Sequence, residues 1–530
     1  MSASRRSRRV RREPPAVVVL VALLAATLAG CVGTVAGAAP EGTVRILGSA
    51  PALWDPALQG DEETAAVLAN VDESLTAIDA AGHVQPALAA SWASSADGRS
   101  LTFTLRSGLT FSDGTPLAAA DVVRSWRRLL DPQQPSPLAS LLEPVTGVAD
   151  LLAGHGTLDA VGITASGPLA VTVTFASPAS YFPSTAASPS LAVVPPSIDA
   201  SYDAAAPPTR FVGSGAYIPT TTSGSDITFT ANARYWAGPP AIGTVDLVTD
   251  TGGQDTYETF EAGTVDYAPV SSESASWIRY DATDGPQLVQ VPDPAVLYYG
   301  FDTRRPPFDD VRVRQAFAEA VDWQRLVQLG SPFDAVATSL VPPDIPGRPT
   351  GDYGPAYDPA AARAALAAAG YPGGHGLPAV TIDSGGVGYD EALAQIWQRE
   401  LGVTVTVEER IDGYFDLLAH DPPQIWALEW VADYPAPQDF LGLLLTTGSS
   451  NDYGGWSDPG FDADVAAGAA SADPAVQAQQ FAAAERIVQQ QVPVVPLSYS
   501  QGWALVRAGL LGAAASSLGI LRWAGLAWGS

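Results

Sequence analysis

The sequence predicts a mixed chain of strands and helices, α/β or α+β in class, spread over two or three domains. Three observations lead there. At 530 residues the chain is longer than one hydrophobic core usually sustains. Strand-like alternation and helical periodicity are interleaved along its length. Its 50 glycines and 45 prolines break it into many short elements with frequent turns.

Taken in order, alternation of apolar and polar residues predicts strands at Leu101–Arg106, Leu169–Phe175, Asp226–Thr230, Val403–Glu408 and Ile425–Trp430. The first follows Ala96-Asp97-Gly98-Arg99, which reads as a hairpin turn. Helical spacing covers roughly 119–130, 311–328, 359–369, 390–401 and 475–491. In the 311–328 segment Val313, Phe317, Ala320, Val321 and Leu326 fall broadly along one side. The 359–369 helix is stopped by Gly370, with Pro372 just beyond. No repeat of solenoid or propeller period is present.

Composition excludes several functions. The chain has 56 acidic residues against 27 basic ones, all arginine, for a net charge of −29. Phosphate backbones repel such a surface, so no nucleic-acid partner is expected. A single cysteine excludes a disulfide framework and any thiolate zinc cluster. The absence of lysine excludes a Walker A loop, a Schiff base and a Ser-x-x-Lys pair. The four histidines, His83, His155, His375 and His420, show no metal-ligand spacing, and no metal or cofactor is expected.

The first forty residues read as an address. Six arginines crowd the first twelve positions, and a fourteen-residue uncharged run follows from Ala16 to Ala29. That run is too short to span a bilayer comfortably and suits a signal peptide. Leu28-Ala29-Gly30-Cys31 resembles a lipoprotein box, so residues 1–30 are expected to be removed and Cys31 acylated. Residues 31–40 would then tether the protein to the outer face of the cytoplasmic membrane, at the cell surface or in a periplasm. Arg5-Arg6 leaves the choice between general and twin-arginine export open. Without residues 1–30 the chain keeps 21 arginines and 55 acids, a net charge of −34.

A series of blocks gives the chain a family likeness. They include Pro86-Ala87-Leu88-Ala89-Ala90-Ser91-Trp92, Phe111-Ser112-Asp113-Gly114-Thr115-Pro116, Gly213-Ser214-Gly215-Ala216-Tyr217 and Asn232-Ala233-Arg234-Tyr235-Trp236. Pro307-Phe308-Asp309-Asp310-Val311-Arg312-Val313-Arg314-Gln315-Ala316, Ala432-Asp433-Tyr434-Pro435 and Val494-Val495-Pro496-Leu497 continue the series in order. Across 41–510 the chain resembles the family 5 extracytoplasmic solute-binding lipoproteins of ABC importers, and among them the oligopeptide-binding branch. The resemblance implies a two-lobed, periplasmic-binding-protein-like α/β fold (type II, cluster C) with an extra small domain on the first lobe. Mapped on, lobe I takes 41–83, 201–288 and a return over 500–530; the accessory domain takes 84–200, and lobe II 289–499. It also implies a monomeric, non-enzymatic receptor whose partners are a peptide and the ABC permease.

The resemblance assigns the peptide's amine to Asp433 and its backbone to Glu429-Trp430-Val431-Ala432, facing Gly60-Asp61-Glu62. An oligopeptide receptor grips the amine and the backbone and leaves side chains room, which is strand addition plus one fixed carboxylate. Trp430, Tyr298, Tyr299 and Tyr499 are candidate pocket walls. Two arginines that some relatives use for the peptide carboxylate are missing: those positions fall at Ala427 or Glu429 and near Leu418. Glu429, Asp433, Asp61 and Glu62 therefore suggest an acidic cleft that prefers cationic, amidated or cyclic peptides. A metal chelate, a glycoside or an antibiotic-like solute remains the alternative ligand, and a sensor or chaperone-like lipoprotein the alternative role. Gly213-Ser214-Gly215 is no nucleophile elbow, and Asp458–Asp464 reads as an Asp-capped helix start rather than a calcium loop.

Overall fold

Strand Thr43–Leu47 lies parallel to Thr244–Val248 and meets Tyr267 through Ile46, in the middle of a seven-stranded sheet. The computed structural model describes residues 42–200, 210–331 and 333–529. Across that sheet the order is Leu288–Val291, Gly502–Val506, Tyr267–Val270, Thr43–Leu47, Thr244–Val248, Asp226–Ala231 and Tyr217–Ser223. Its apolar face buries Val44, Trp54, Phe229 and, from the far end of the chain, Trp523 and Leu526.

A second sheet has six strands, ordered Ala335–Val336, Val494–Tyr499, Ala295–Phe301, Ile425–Val431, Val380–Asp383 and Val405–Val407. Strands Val494–Tyr499 and Ala295–Phe301 are buried on both faces and read as nearly unbroken apolar runs, unlike a strand with one wet face. Helices pack around this sheet over two cores, one with Phe317 and Trp397, the other with Phe440 and Phe481. The four-stranded antiparallel sheet Ala89–Ser94, Ser100–Leu105, Ala170–Thr174 and Ile163–Ala165 forms a third core around Phe103, Trp126 and Phe182.

The chain crosses between the two large sheets twice, at adjacent points. Pro292-Asp293-Pro294 joins Val291 to Ala295, and Ser500-Gln501 joins Tyr499 to Gly502. The flanking residues pair across the crossings, Val291 with Gly502 on one side and Val296 with Tyr499 on the other. Two short linkers side by side, one leaving the first sheet and one returning to it, are what a hinge between two halves requires.

Several local expectations hold. Ser95 and Ser100 close the turn through Gly98, which adopts φ +67°. Gly370, at φ +101°, ends helix Pro359–Ala368, and the Tyr371 amide returns to the Leu366 carbonyl. Asp458 caps helix Pro459–Ala470 through the Gly460 and Phe461 amides. The helix expected over 311–328 is instead two, Val311–Glu319 and Trp323–Gly330. Asp322 causes the break: its carboxylate accepts from the Arg325 amide and starts the second helix. The Trp323 indole, donating to the Ala318 carbonyl, closes the first.

Cys31 and the signal and tether expected over 1–40 lie outside the described residues. Among the described residues no helix is long and apolar enough to cross a membrane.

Candidate functional site

Strand Ile425–Val431 sets the site. From Ile425 to Val431 it pairs antiparallel with Phe301 back to Ala295. On its other edge, Val380–Asp383 pairs only with Ile425 and Trp426. From Ala427 onward that edge has no strand partner among the described residues, although the Tyr414 hydroxyl bonds the Ala427 amide and carbonyl. Open backbone groups beside an ordered strand can receive one more strand. Glu429, Trp430 and Val431 lie on this stretch, Glu429 exposed and the other two half-buried.

Asp433 follows on the loop that leads into helix Pro437–Leu445. The loop is clamped by the third core: Tyr434 and Ala436 are buried in it, and Tyr181 stacks on Tyr434 with centroids 5.4 Å apart. A further link lies close by, where the Ser180 amide and hydroxyl donate to the Ala469 carbonyl at 2.9 and 2.8 Å. Asp433 itself is half-buried, and its surroundings push its carboxyl well above the usual carboxylate range.

Beneath it sits Asp439, wholly buried on the first turn of that helix. Its Oδ2 accepts from the Trp430 indole at 3.0 Å and from the Asp433 amide at 3.2 Å. Burial first, and then the charge of Asp433, raise its carboxyl far above normal, partly offset by those hydrogen bonds. Sequence reasoning missed Asp439. The signal was present in Pro437-Gln438-Asp439, where proline at the first helical position brings an acid to the helix N-terminus.

A second set of acids gathers beside the crossings. Asp293 stands in one linker, and its carboxyl is pushed up to about 6 by burial and then by Glu429 and Asp334. Glu62, from the half built on the seven-stranded sheet, is pushed up to about 7 by enclosure and then by Asp293, Glu63 and Glu429. Ser500, in the other linker, donates its hydroxyl to Glu429. The structure thus brings Glu62 and Glu429 together across the two halves. Asp61 instead caps helix Glu62–Val71, accepting from the Thr64 amide at 2.8 Å. Gly60 lets Pro137 approach, since a Cβ there would lie 2.9 Å from Pro137 Cγ.

The three tyrosines offered as pocket walls lie in the core instead. Tyr298 packs edge-on against Trp426, and Tyr299 donates to Asp390 at 2.8 Å. The Tyr499 hydroxyl accepts from the Thr338 and Ser339 amides and donates to the Ser339 carbonyl. Each ring fills its own strand's buried face, which aromatic area makes favourable. Ala427 and Leu418, where a carboxylate-binding arginine was sought, are buried apolar positions. Among the described residues no group of three or more potential ligands could hold a metal ion.

Residues 83–452 match the family described as bacterial extracellular solute-binding proteins, family 5 Middle. The probable deoxycholate-binding periplasmic protein YgiS of Escherichia coli (strain K12) is 29% identical over 465 residues, 85% of this chain and 86% of its own. The periplasmic oligopeptide-binding protein OppA of Salmonella typhimurium (strain LT2) is 29% identical over 528 residues, 92% and 93% of the two chains. Among solved structures, the Escherichia coli murein tripeptide binding protein MppA superposes with a TM-score of 0.75 at 24% identity, over 92% of this chain and 99% of that one. Haemophilus influenzae OppA in complex with RPPGFSPFR gives 0.73 at 22%, over 93% and 100%. The shared architecture is the two-lobed α/β binding-protein fold. The chain belongs to the bacterial extracellular solute-binding proteins of family 5, which are binding proteins and not enzymes.

Proposed function

We propose that the protein is an extracytoplasmic receptor that captures peptides between its two lobes and delivers them to the permease of an ABC importer. The observation behind this reading is the strand edge at Leu428–Val431, beyond the Tyr414 hydroxyl, open to a further strand and followed two residues on by the half-buried Asp433. An extended peptide laid along that edge gains main-chain hydrogen bonds, and Asp433 fixes its register through the amine. Two relatives described above are named for binding oligopeptides or a murein tripeptide. Ligand released from the purified, denatured protein should be identified by mass spectrometry as peptides with free amino termini. Recovery of only sugars or metal complexes would overturn the reading.

In the same reading residues 1–30 are a signal peptide, Cys31 carries the lipid, and 31–40 is the tether of a monomer held outside the cytoplasmic membrane. Lobe I comprises 41–83, 201–288 and 500–530, the accessory domain 84–200, and lobe II 289–499. Strand Leu288–Val291 favours placing the second border in the Pro292–Pro294 linker.

The relative named for deoxycholate suggests an anionic steroid as the competing ligand. Glu62, Asp293, Asp433 and Asp439, whose carboxyls burial pushes above the usual range, and the exposed Glu429 beside them argue against it, because an anion would add negative charge to a site already lined by acids. They favour cationic peptides. A peptide with lysine side chains should bind several-fold tighter than its neutral twin, and added salt should narrow the gap. Glu429→Gln should shrink that preference by up to about 1 kcal/mol, since Glu429 is exposed. Equal affinity for the two peptides, unmoved by Glu429→Gln, would remove the charge preference while leaving peptide capture intact.

A further inference from the structure

Asp439 has a feature that its place in the fold does not explain. One carboxylate oxygen, Oδ2, accepts from the Trp430 indole and the Asp433 amide, and the Tyr434 amide also stabilises the carboxylate. The other, Oδ1, is buried and has no hydrogen-bond partner. A buried oxygen left unpaired is costly, so such atoms are normally protonated, hydrated or waiting for a ligand. The titratable groups acting on the site from every packed element are Asp433 and Tyr434 on the loop and Tyr181 and Glu143 from the accessory segment. All are acids or neutral hydroxyls, and none is a cation. Two neighbouring carboxyls in such surroundings cannot both ionise while the site is empty, and so hold a proton between them.

We propose that Asp439 is the second acid of the amine subsite: its unpartnered Oδ1 shares the ligand's ammonium with Asp433, and the proton held by the empty pair leaves to solvent as the cation enters. The inference rests on the reading of Asp433 as the amine receptor and extends it. An ammonium has three N–H donors, more than one carboxylate in a tight site can accept in good geometry. Its positive charge replaces the proton that kept the pair at a single negative charge. No covalent bond forms between ligand and protein; one carboxyl O–H bond breaks and the proton is taken up in a new bond by the buffer base.

The test is calorimetric titration of a free-amine tetrapeptide at pH 8, in buffers of differing ionisation enthalpy; the protein's release is the net count plus the roughly half proton per peptide that the amine, with an ordinary pKa of about 8, takes up on binding as an ammonium. Wild type should release up to about one proton per peptide bound. Asp439→Asn retains an oxygen for the Trp430 indole but removes the repulsion that keeps the proton on the pair. It should release less than half as much at pH 8, with release moved to lower pH. No release from wild type, or equal release from both proteins, overturns the role of Asp439. The wild-type titration decides alone if the variant does not fold. Asp433→Asn separates the two claims. Unchanged affinity in that variant refutes the amine reading itself, whereas lost affinity together with no wild-type proton release refutes only Asp439.

Discussion

Replacing Asp433 by asparagine should weaken binding of a free-amine peptide by about 1.5–3 kcal/mol, roughly ten- to a hundred-fold in Kd. The side chain keeps its size and an acceptor oxygen, so the loss isolates the charge. A charge-assisted bond to an ammonium in a half-buried site is worth about twice a neutral one. The loop should not collapse, because its anchoring is independent of the carboxylate. Tyr434 stacks on Tyr181, and the Asp433 backbone amide, which the substitution leaves in place, donates to Asp439. An unchanged thermal midpoint beside a weaker Kd is therefore the expected pattern. A parallel fall in both would mean that Asp433 serves the fold rather than the ligand.

Arg522→Ala should cost about 3–5 kcal/mol of stability, toward the lower figure, because the Arg522 side chain keeps 30% of its exposure. Arg522 Nη2 meets Glu73 Oε1 at 2.6 Å, and the Tyr235 hydroxyl donates to Oε2 at 2.6 Å. Glu73 is 1% exposed. Without the guanidinium its charge would be buried with only a phenol for company. Beside it the segment around Arg522 is bound to helix Glu62–Val71, where Asn70 accepts from the Trp523 amide and donates to the Leu521 carbonyl. Denaturant unfolding measures the loss. Glu73→Gln in the Arg522→Ala background should restore part of it, since the stranded charge is then gone. A double variant less stable than Arg522→Ala alone would contradict this account of Glu73.

How far the fold was legible follows from what each signal reports. Helix ends were readable where a residue acts locally, as Gly370 and Asp458 do. The 311–328 pattern misled because apolar spacing survives a break: Asp322 starts a new helix while Phe317 and Val327 still face one core. Asp61 and Asp439 show the same limit at the site. An aspartate before a helix caps it whether or not a ligand is near, so the Asp61 cap explains that residue's place in the sequence without deciding whether it also faces a ligand. For Asp439 the sequence carries only the helix-start signal of Pro437-Gln438-Asp439, because it is the folded chain that brings Trp430, Asp433 and the helix start together. The tyrosines failed for a different reason, since the sheet's side-chain alternation and the helices covering both faces decide which ring is enclosed.

The central claim is that this family 5 receptor recognises a peptide by its free amine at Asp433. Calorimetry on the wild-type protein with one tetrapeptide and its N-acetylated twin tests it most directly. The free-amine peptide should bind at least roughly ten-fold more tightly, the acetyl group having removed the ammonium while leaving the backbone to pair along the strand edge. Equal affinity for the two would contradict the account.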